Sequence, residues 1–298
     1  MALNGLPRTP LLATLISLAS ASAGCVDIVA TGGVGYIERE EKRFSVEGRP
    51  EVTLSTFDGS IDVRPWDRPE VLVEVEKRAL DKELIDDIEI RTEQNGNRVS
   101  VDVRRRPGSS RWGLHRSAHL TVSLPASSDL VAKTGDGAID VERISGRIEL
   151  RSGDGAISGQ ELSGEVTAKT GDGSIRLDRI DGRLDLDTGD GSIVAGGKLT
   201  SLRARSGDGS VRIRVEPGSN LLEDWDIVTG DGSITVDLPD SLDAELDAQT
   251  GDGHVSVNGA ALSKTTESTR RSIRGRLGEG GHSFHVRSGD GSIRLGRL

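Results

Sequence analysis

The sequence predicts an all-β protein: a parallel single-stranded β-solenoid of about 18-residue coils, preceded by an N-terminal β capping region, with an antiparallel β-meander or sandwich as the alternative. Three observations predict it. A Gly-Asp-Gly triplet recurs centred on Asp136, Asp154, Asp172, Asp190, Asp208, Asp231, Asp252 and Asp290, and the first four intervals are each 18 residues. Apolar residues alternate with polar ones on both sides of each triplet, the period-two pattern of a strand with one buried face. The composition, with 39 glycines and 2% aromatic residues, suits stacked strands with small aliphatic side chains better than the aromatic-rich core common in compact enzymes.

Taken in chain order, the first segment is residues 1–24, which read as an export signal. Arg8 gives the positive charge, Leu11 to Leu18 a short apolar core, and small residues follow up to Gly24. That core is too short to span a bilayer. Cys25, the only cysteine, stands where a bacterial lipobox places the lipidated cysteine, although Ser22 replaces the usual leucine three positions earlier. Ordinary cleavage after Ala21-Ser22-Ala23 is the alternative. An exported chain with one cysteine cannot form an internal disulfide, so lipid attachment at Cys25 is the simplest account.

Residues 25–43 read as a polar tether. Residues 44–125 carry longer alternating runs (EVLVEVEKRAL, NRVSVDVRRR, HLTVSLP) and a short helical stretch near Asp81–Asp87, and read as an N-terminal β region or first coils covering the open end of the solenoid. Residues 126–298 are the repeat region, interrupted by a polar, arginine-rich loop at 260–280. A ninth, divergent triplet lies upstream at Asp58.

Aligned on the aspartate, every copy has Ser or Thr two residues before it, such as Thr134, Ser152 and Thr170. Each has Ile or Val three residues after it, such as Ile139, Ile157 and Ile175. In the regular region a second glycine follows at Gly146, Gly164 and Gly182, so each unit is two short strands and two turns. Eight residues after the aspartate stand Ile144, Leu162 and Ile180. A hairpin would expose them on the wrong face, whereas a solenoid corner can turn them inward. That favours parallel coils whose equivalent residues stack about 4.8 Å apart.

The repeated aspartates invite two readings. Stacked carboxylates offer the oxygen ligands that Ca²⁺ prefers, but the known calcium repeat has a nine-residue period and differently placed glycines. The structural reading has Asp-Gly supplying the positive-φ geometry of a tight turn, with the Ser/Thr hydroxyl bonding turn backbone. Lys133, Arg151, Lys169, Arg205 and Arg287, each three residues before an aspartate, are expected to offset the anionic ladder. No metal and no cofactor is therefore expected.

No nucleophile–base motif or phosphate loop of recognised spacing occurs, and the acids recur uniformly instead of clustering, so the chain reads as non-enzymatic. His282 and His285 have helical spacing but flank a strand residue, Phe284, which argues against joint metal ligation. A net charge of −10 excludes general nucleic-acid binding. Two basic segments, 104–116 with Trp112 and 270–276, read first as solvated loops. Their sharper reading is contact with anionic envelope polymers or lipid headgroups.

The stretches VTLSTFDGSIDVRPWD, LTVSLPASSDLVAKTGDGAIDVERISGRIELRSGDGAI and GEGGHSFHVRSGDGSIRL resemble DUF4097, a family of bacterial β-strand-repeat proteins labelled "putative adhesin". The likeness covers about residues 44–298. It implies an exported, cell-envelope, right-handed single-stranded β-solenoid and no catalytic residues. The sequence departs from the family in its extra length at 254–288. The expected function is thus an envelope scaffold or adhesion protein, periplasmic or lipid-anchored at the outer membrane. Its partners would be envelope polymers, lipid headgroups or another surface protein; the alternative is a carbohydrate-binding or carbohydrate-processing β-helix.

Overall fold

The structure is a computed structural model that describes residues 27–31, 35–107, 115–259 and 262–298. Of these residues 66% are strand and 2% helix. Two parallel ladders run through the repeat region, one made by the strands before each triplet and one by the strands after it. In the second, Ile139, Ile157, Ile175, Ile193 and Val211 pair in succession. In the first, Ile148, Val166, Leu184 and Leu202 do the same. All nine are 2% exposed or less. Each such side chain contributes about 1.5–3 kcal/mol through burial, and the period-two alternation sends the intervening residues to the outer face.

The corner between the ladders differs from its sequence-based explanation. Of the nine triplet regions, only the one at Asp58 has a glycine in the left-handed region, Gly59 at φ 127°. The other triplet glycines are there because the coils approach too closely for a side chain. A Cβ on Gly171 would lie 2.6 Å from the carbonyl oxygen of Gly153, and one on Gly173 would lie closer still to that of Gly155. This proximity lets backbone bond to backbone: Gly171 N–H donates to Gly153 O at 2.5 Å and Gly189 N–H to Gly171 O at 2.6 Å. The preceding hydroxyls form a second ladder. Thr170 Oγ1 donates to Gly155 O at 2.9 Å, Thr188 to Gly173 O at 2.9 Å, and Ser206 to Gly191 O at 2.9 Å. Left-handed backbone occurs instead at the opposite corner, at Arg143, Glu161 and Arg179 (φ 53°, 55° and 53°) and at Gly146, Gly164 and Gly182. There Ile144, Leu162 and Ile180 turn inward and are buried.

Spatial order departs from sequence order at both ends. Ile293 pairs with Ile234 on one side and Val255 on the other, and Phe284 likewise with Trp225 and Leu246. The last coil of the chain is therefore inserted between the two that precede it. The stretch 260–280, expected to be a loop, contains a hairpin, Leu262–Ser268 and Ser272–Leu277, whose second strand pairs antiparallel with Ala244–Thr250 and covers that end of the first ladder. At the other end, Glu51–Thr56 lies between Arg98–Arg105 and Asp129–Thr134. Ile61–Trp66 lies between Arg116–Pro125 and Ile139–Glu142.

Antiparallel strands extend the sheet beyond that outermost coil: Ile88–Asn95 on one ladder, and Glu70–Ala79 followed by Gly35–Ser45 on the other. The helix Lys82–Asp86 between them is capped by Asp81, whose carboxylate accepts from Leu84 N at 2.8 Å. Of the expected tether at 25–43, the described part is therefore strand, with Asp27–Thr31 pairing antiparallel to Gly35–Ser45. Its polarity reflects ion pairing across the sheet. The nearly buried Lys77 ammonium donates to Glu38 at 2.8 Å and Glu40 at 2.5 Å.

These pairs set a pH dependence. Burial pushes the Glu40 carboxyl up, but hydrogen bonds from Lys77 and Lys42 outweigh it and leave it below its ordinary value. Glu76 is lowered in the same way: burial raises it, and bonds from Arg39 and Arg78 win. Asp129 is lowered chiefly by its bond to Arg49, aided by the Arg147 backbone N–H at 2.7 Å. A depressed carboxyl contributes stability that is present above its unfolded pKa of about 4 and lost as pH falls through the lower folded value. The urea midpoint is thus expected to drop below about pH 4, and Asp129→Asn to flatten part of that slope; an unchanged slope in the variant would contradict the assignment.

Candidate functional site

The residues singled out in the sequence fall into three groups. Residues 1–24, Cys25 and Trp112 lie outside the described residues. Several arginines of the basic segments are paired within the fold. Arg104 pairs with Glu89 at 3.3 Å, Arg105 lies over the Phe57 ring at 5.2 Å, and the buried Arg116 meets Asp87 at 3.3 Å. In the C-terminal hairpin, Arg274 pairs with Asp247 and Glu267 at 3.2 Å each, and Arg276 with Glu245 at 2.8 Å. His282 and His285 face different carboxylates, Asp224 at 3.5 Å and Asp247 at 4.0 Å, so they do not converge.

Four of the five cations expected to offset the triplet aspartates pair elsewhere, and Arg287 has no ion pair among the described residues. Arg151 meets Glu149 at 2.9 Å, Lys169 meets Asp187 at 3.9 Å, and Arg205 meets Asp226 at 3.1 Å. They stand on the outer face of the first ladder, among the carboxylates of that face, so their partners are nearer than the corner. Seven of the triplet aspartates are exposed and have no ion pair among the described residues; Asp252, with Arg271 at 3.8 Å, does. No group of three or more His, Cys, Asp or Glu side chains among the described residues is placed to hold a metal.

The arrangement nearest to a nucleophile and base lies in a cleft of about 640 Å³ at the N-terminal end, lined by Tyr36, Asp58, Arg78, Leu80, His115 and His119. His119 Nδ1 accepts from the Ser60 backbone N–H at 3.2 Å, and its Nε2 lies 3.2 Å from Ser117 Oγ. Burial, then the nearby Arg78 charge, pushes its pKa down, which favours the neutral ring. With Nδ1 accepting, the single ring proton sits on Nε2 and points at Ser117. The ring is therefore a donor to the Ser117 hydroxyl and does not take its proton; Ser60 Oγ lies 3.1 Å from Nδ1 and donates to Asp62 Oδ2 at 3.1 Å.

A second concavity, about 530 Å³, opens on the outer face of the second ladder. Its floor is made where the outward positions become small, at Ser158, Val194 and Gly196, with Leu177 and Ala195 beneath. A side chain on Gly196 would press on the Arg214 Cβ at 3.3 Å. Arg176 rises on one side, and Arg212 and Arg214 on the other. Strand register puts Val194 between Arg176 and Arg212, and Gly196 beside Arg214. The acids nearby are mostly taken: Asp140 and Glu142 by Arg64 at 2.6 and 3.3 Å, and Asp178 by Arg179 at 3.2 Å. Arg176, Arg212 and Arg214 have no ion pair or side-chain hydrogen bond among the described residues. The groove thus presents three guanidinium groups without an ion pair among the described residues, Arg214 standing beside Asp237 in register, on a chain of net charge −10.

Comparison with known proteins places this architecture. The family model described as Toastrack DUF4097 matches residues 47–296, nearly the whole chain. The chain belongs to the Toastrack DUF4097 family. No curated protein matches it. Three crystal structures are similar at low identity. One is a "putative lipid binding protein" from Parabacteroides distasonis, 13% identical, covering 90% of this chain and 98% of that one, TM-score 0.41. Another is a "putative adhesin" from Bacteroides fragilis, 11% identical, covering 87% and 97%, TM-score 0.37. The third is a "putative cell adhesion protein" from Clostridium sporogenes, 14% identical, covering 87% and 100%, TM-score 0.28.

In this Toastrack member the groove arginines are the residues that motif reading missed. A search for runs of basic residues cannot find them, because Arg176 and Arg212 are two coils apart in sequence. The signal that finds them is the outward column itself: Asp140, Ser158, Arg176, Val194 and Arg212 all stand four residues after a triplet aspartate.

Proposed function

We propose that this Toastrack DUF4097 protein is an exported, non-enzymatic component of the cell envelope, held by lipid on Cys25. Its coils form a right-handed single-stranded β-solenoid whose side faces act as a scaffold or adhesion surface. One observation carries this reading. The second ladder stacks ten strands in register, from Val255 to Leu120, so its outer face runs for about 43 Å at the usual strand spacing. Stacked repeats give extended binding surfaces of this kind, in which each coil contributes one row of side chains. The signal-like 1–24 and the single Cys25 support export and anchoring. Among the described residues no helix is long and apolar enough to cross a membrane.

The test is fractionation of cells expressing the full chain, with mass spectrometry of the mature N-terminus. The expected result is a diacylated Cys25 in the membrane fraction, and a Cys25→Ala chain released to the soluble periplasmic fraction. An unmodified thiol with unchanged fractionation would contradict the anchor. A protein retained in the cytoplasm would contradict the whole reading.

A further inference from the structure

We propose that the groove bounded by Arg176, Arg212 and Arg214 binds a carboxylate-bearing polysaccharide, a polyuronate chain lying along the stack. The inference deepens the adhesion reading and rests on it for its biological setting. Three independent features of the groove select this ligand.

The first is charge without a partner. Most arginines among the described residues have a carboxylate partner, and several of these partners stand across the ladder, as those of Arg64, Arg179 and Arg205 do. Three that are not so matched stand around one concavity. A guanidinium forks onto a carboxylate with two parallel hydrogen bonds, which makes it the natural cationic group for such a ligand.

The second is spacing. Arg176 and Arg212 occupy the same outward position two strands apart, with Val194 between them. That separates their backbone positions by about 9.6 Å, twice the distance between neighbouring strands. A charge recurring at that interval is on the scale of a disaccharide, and a uronate chain with carboxylates on one side at alternate sugars would meet both.

The third is the chemistry between the arginines. Ser158 and Gln160 can donate to or accept from hydroxyls, and the Asp237 carboxylate, without an ion pair among the described residues, is an acceptor for them. Val194 offers a small apolar patch to the C–H face of a sugar ring. Polyphosphate, which has no hydroxyl donors for Asp237 and no C–H face for Val194, would gain nothing from either. A lipid surface needs protruding apolar anchors, and the groove walls carry none: Arg176, Arg212 and Arg214 are its exposed rim.

The test is isothermal titration of the purified full chain with polygalacturonate. Parallel arms use the methyl-esterified polymer, polyphosphate, and vesicles of phosphatidylglycerol. Wild type is expected to bind polygalacturonate, and to bind the esterified polymer, polyphosphate and vesicles at least about tenfold more weakly, the loss of one to two charge-assisted hydrogen bonds. The triple variant Arg176→Gln, Arg212→Gln, Arg214→Gln is expected to lose polygalacturonate binding while keeping its melting midpoint. Arg203→Gln, an arginine on the other ladder with no ion pair among the described residues, should bind as wild type. Equal binding of the esterified polymer, or an unchanged triple variant, would overturn the proposal. So would tighter binding of polyphosphate or vesicles, or no binding of polygalacturonate by wild type. Adhesion of intact cells that survives the triple substitution would leave the envelope reading standing and remove only the groove.

Discussion

Gly173→Ala is expected to lower folding stability by about 3 kcal/mol or more, the upper end of what forced overpacking costs. The new methyl would fall inside the van der Waals contact distance of the Gly155 carbonyl oxygen. It would also lie 2.8 Å from Thr170 Oγ1. Both neighbours are fixed, one as backbone and the other by its 2.9 Å bond to Gly155 O, so the strain cannot be relieved by a side-chain rotation. Relief would require separating the coils and with them the Gly171 to Gly153 bond. Two comparisons isolate the cause. Gly96→Ala, at a φ of 59° with nothing within 4 Å, should cost only the ordinary penalty of left-handed backbone, about 1 kcal/mol. Asp172→Asn, at the exposed centre of the same triplet, should change stability by no more than about 0.5 kcal/mol. Urea denaturation of the three variants gives the ranking. A severe Asp172→Asn with a mild Gly173→Ala would mean that the carboxylate, not close stacking, holds the corner.

The second large effect is expected at Trp225. Its side chain is fully buried and packs edge-on against Phe284, ring centroids 5.7 Å apart at 81°. The two residues pair in register where the last coil is inserted. Trp225→Ala should cost about 3–5 kcal/mol, through lost apolar burial and the cavity left behind. Trp225→Phe should cost clearly less, because it keeps most of the ring contact and removes a buried indole N–H that lacks a hydrogen-bond partner. Hydrogen exchange should show the Trp225→Ala loss concentrated in the strands Trp225–Thr229 and Ser283–Ser288. Loss of protection confined to the first of them would contradict the inserted arrangement.

What the sequence made legible is what local periodicity controls. The alternation, the 18-residue offset, the inward turn of Ile144, Leu162 and Ile180, and the short helix after Asp81 all follow from side-chain direction and near neighbours. What it hid depends on contacts distant in sequence. The glycines of the triplet read as turn formers, and the reason for them lies in the coil below. Gly35–Ser45 shows no apolar stripe because Lys77 and its glutamates replace one, so it read as a tether. The stacking of Ile293 on Ile234, 59 residues away, leaves no mark in the repeat beyond its broken period. The groove was invisible for a similar cause: its arginines are dispersed in the chain and meet only through register.

The central claim is that the repeat units stack in parallel register, with the last coil inserted before the one it follows. Cysteine pairing tests it most directly, in a Cys25→Ser background. Thr235 and Arg294 are directly paired across adjacent strands, whereas Arg294 would lie at least one further strand from Thr235 if the coils stacked in chain order. Thr235→Cys with Arg294→Cys is expected to oxidise to an intramolecular disulfide in the folded protein, since neighbouring strands lie within disulfide reach. Thr235→Cys with Ser256→Cys, separated by the inserted strand, should remain reduced. A disulfide in the second pair and none in the first would contradict the account.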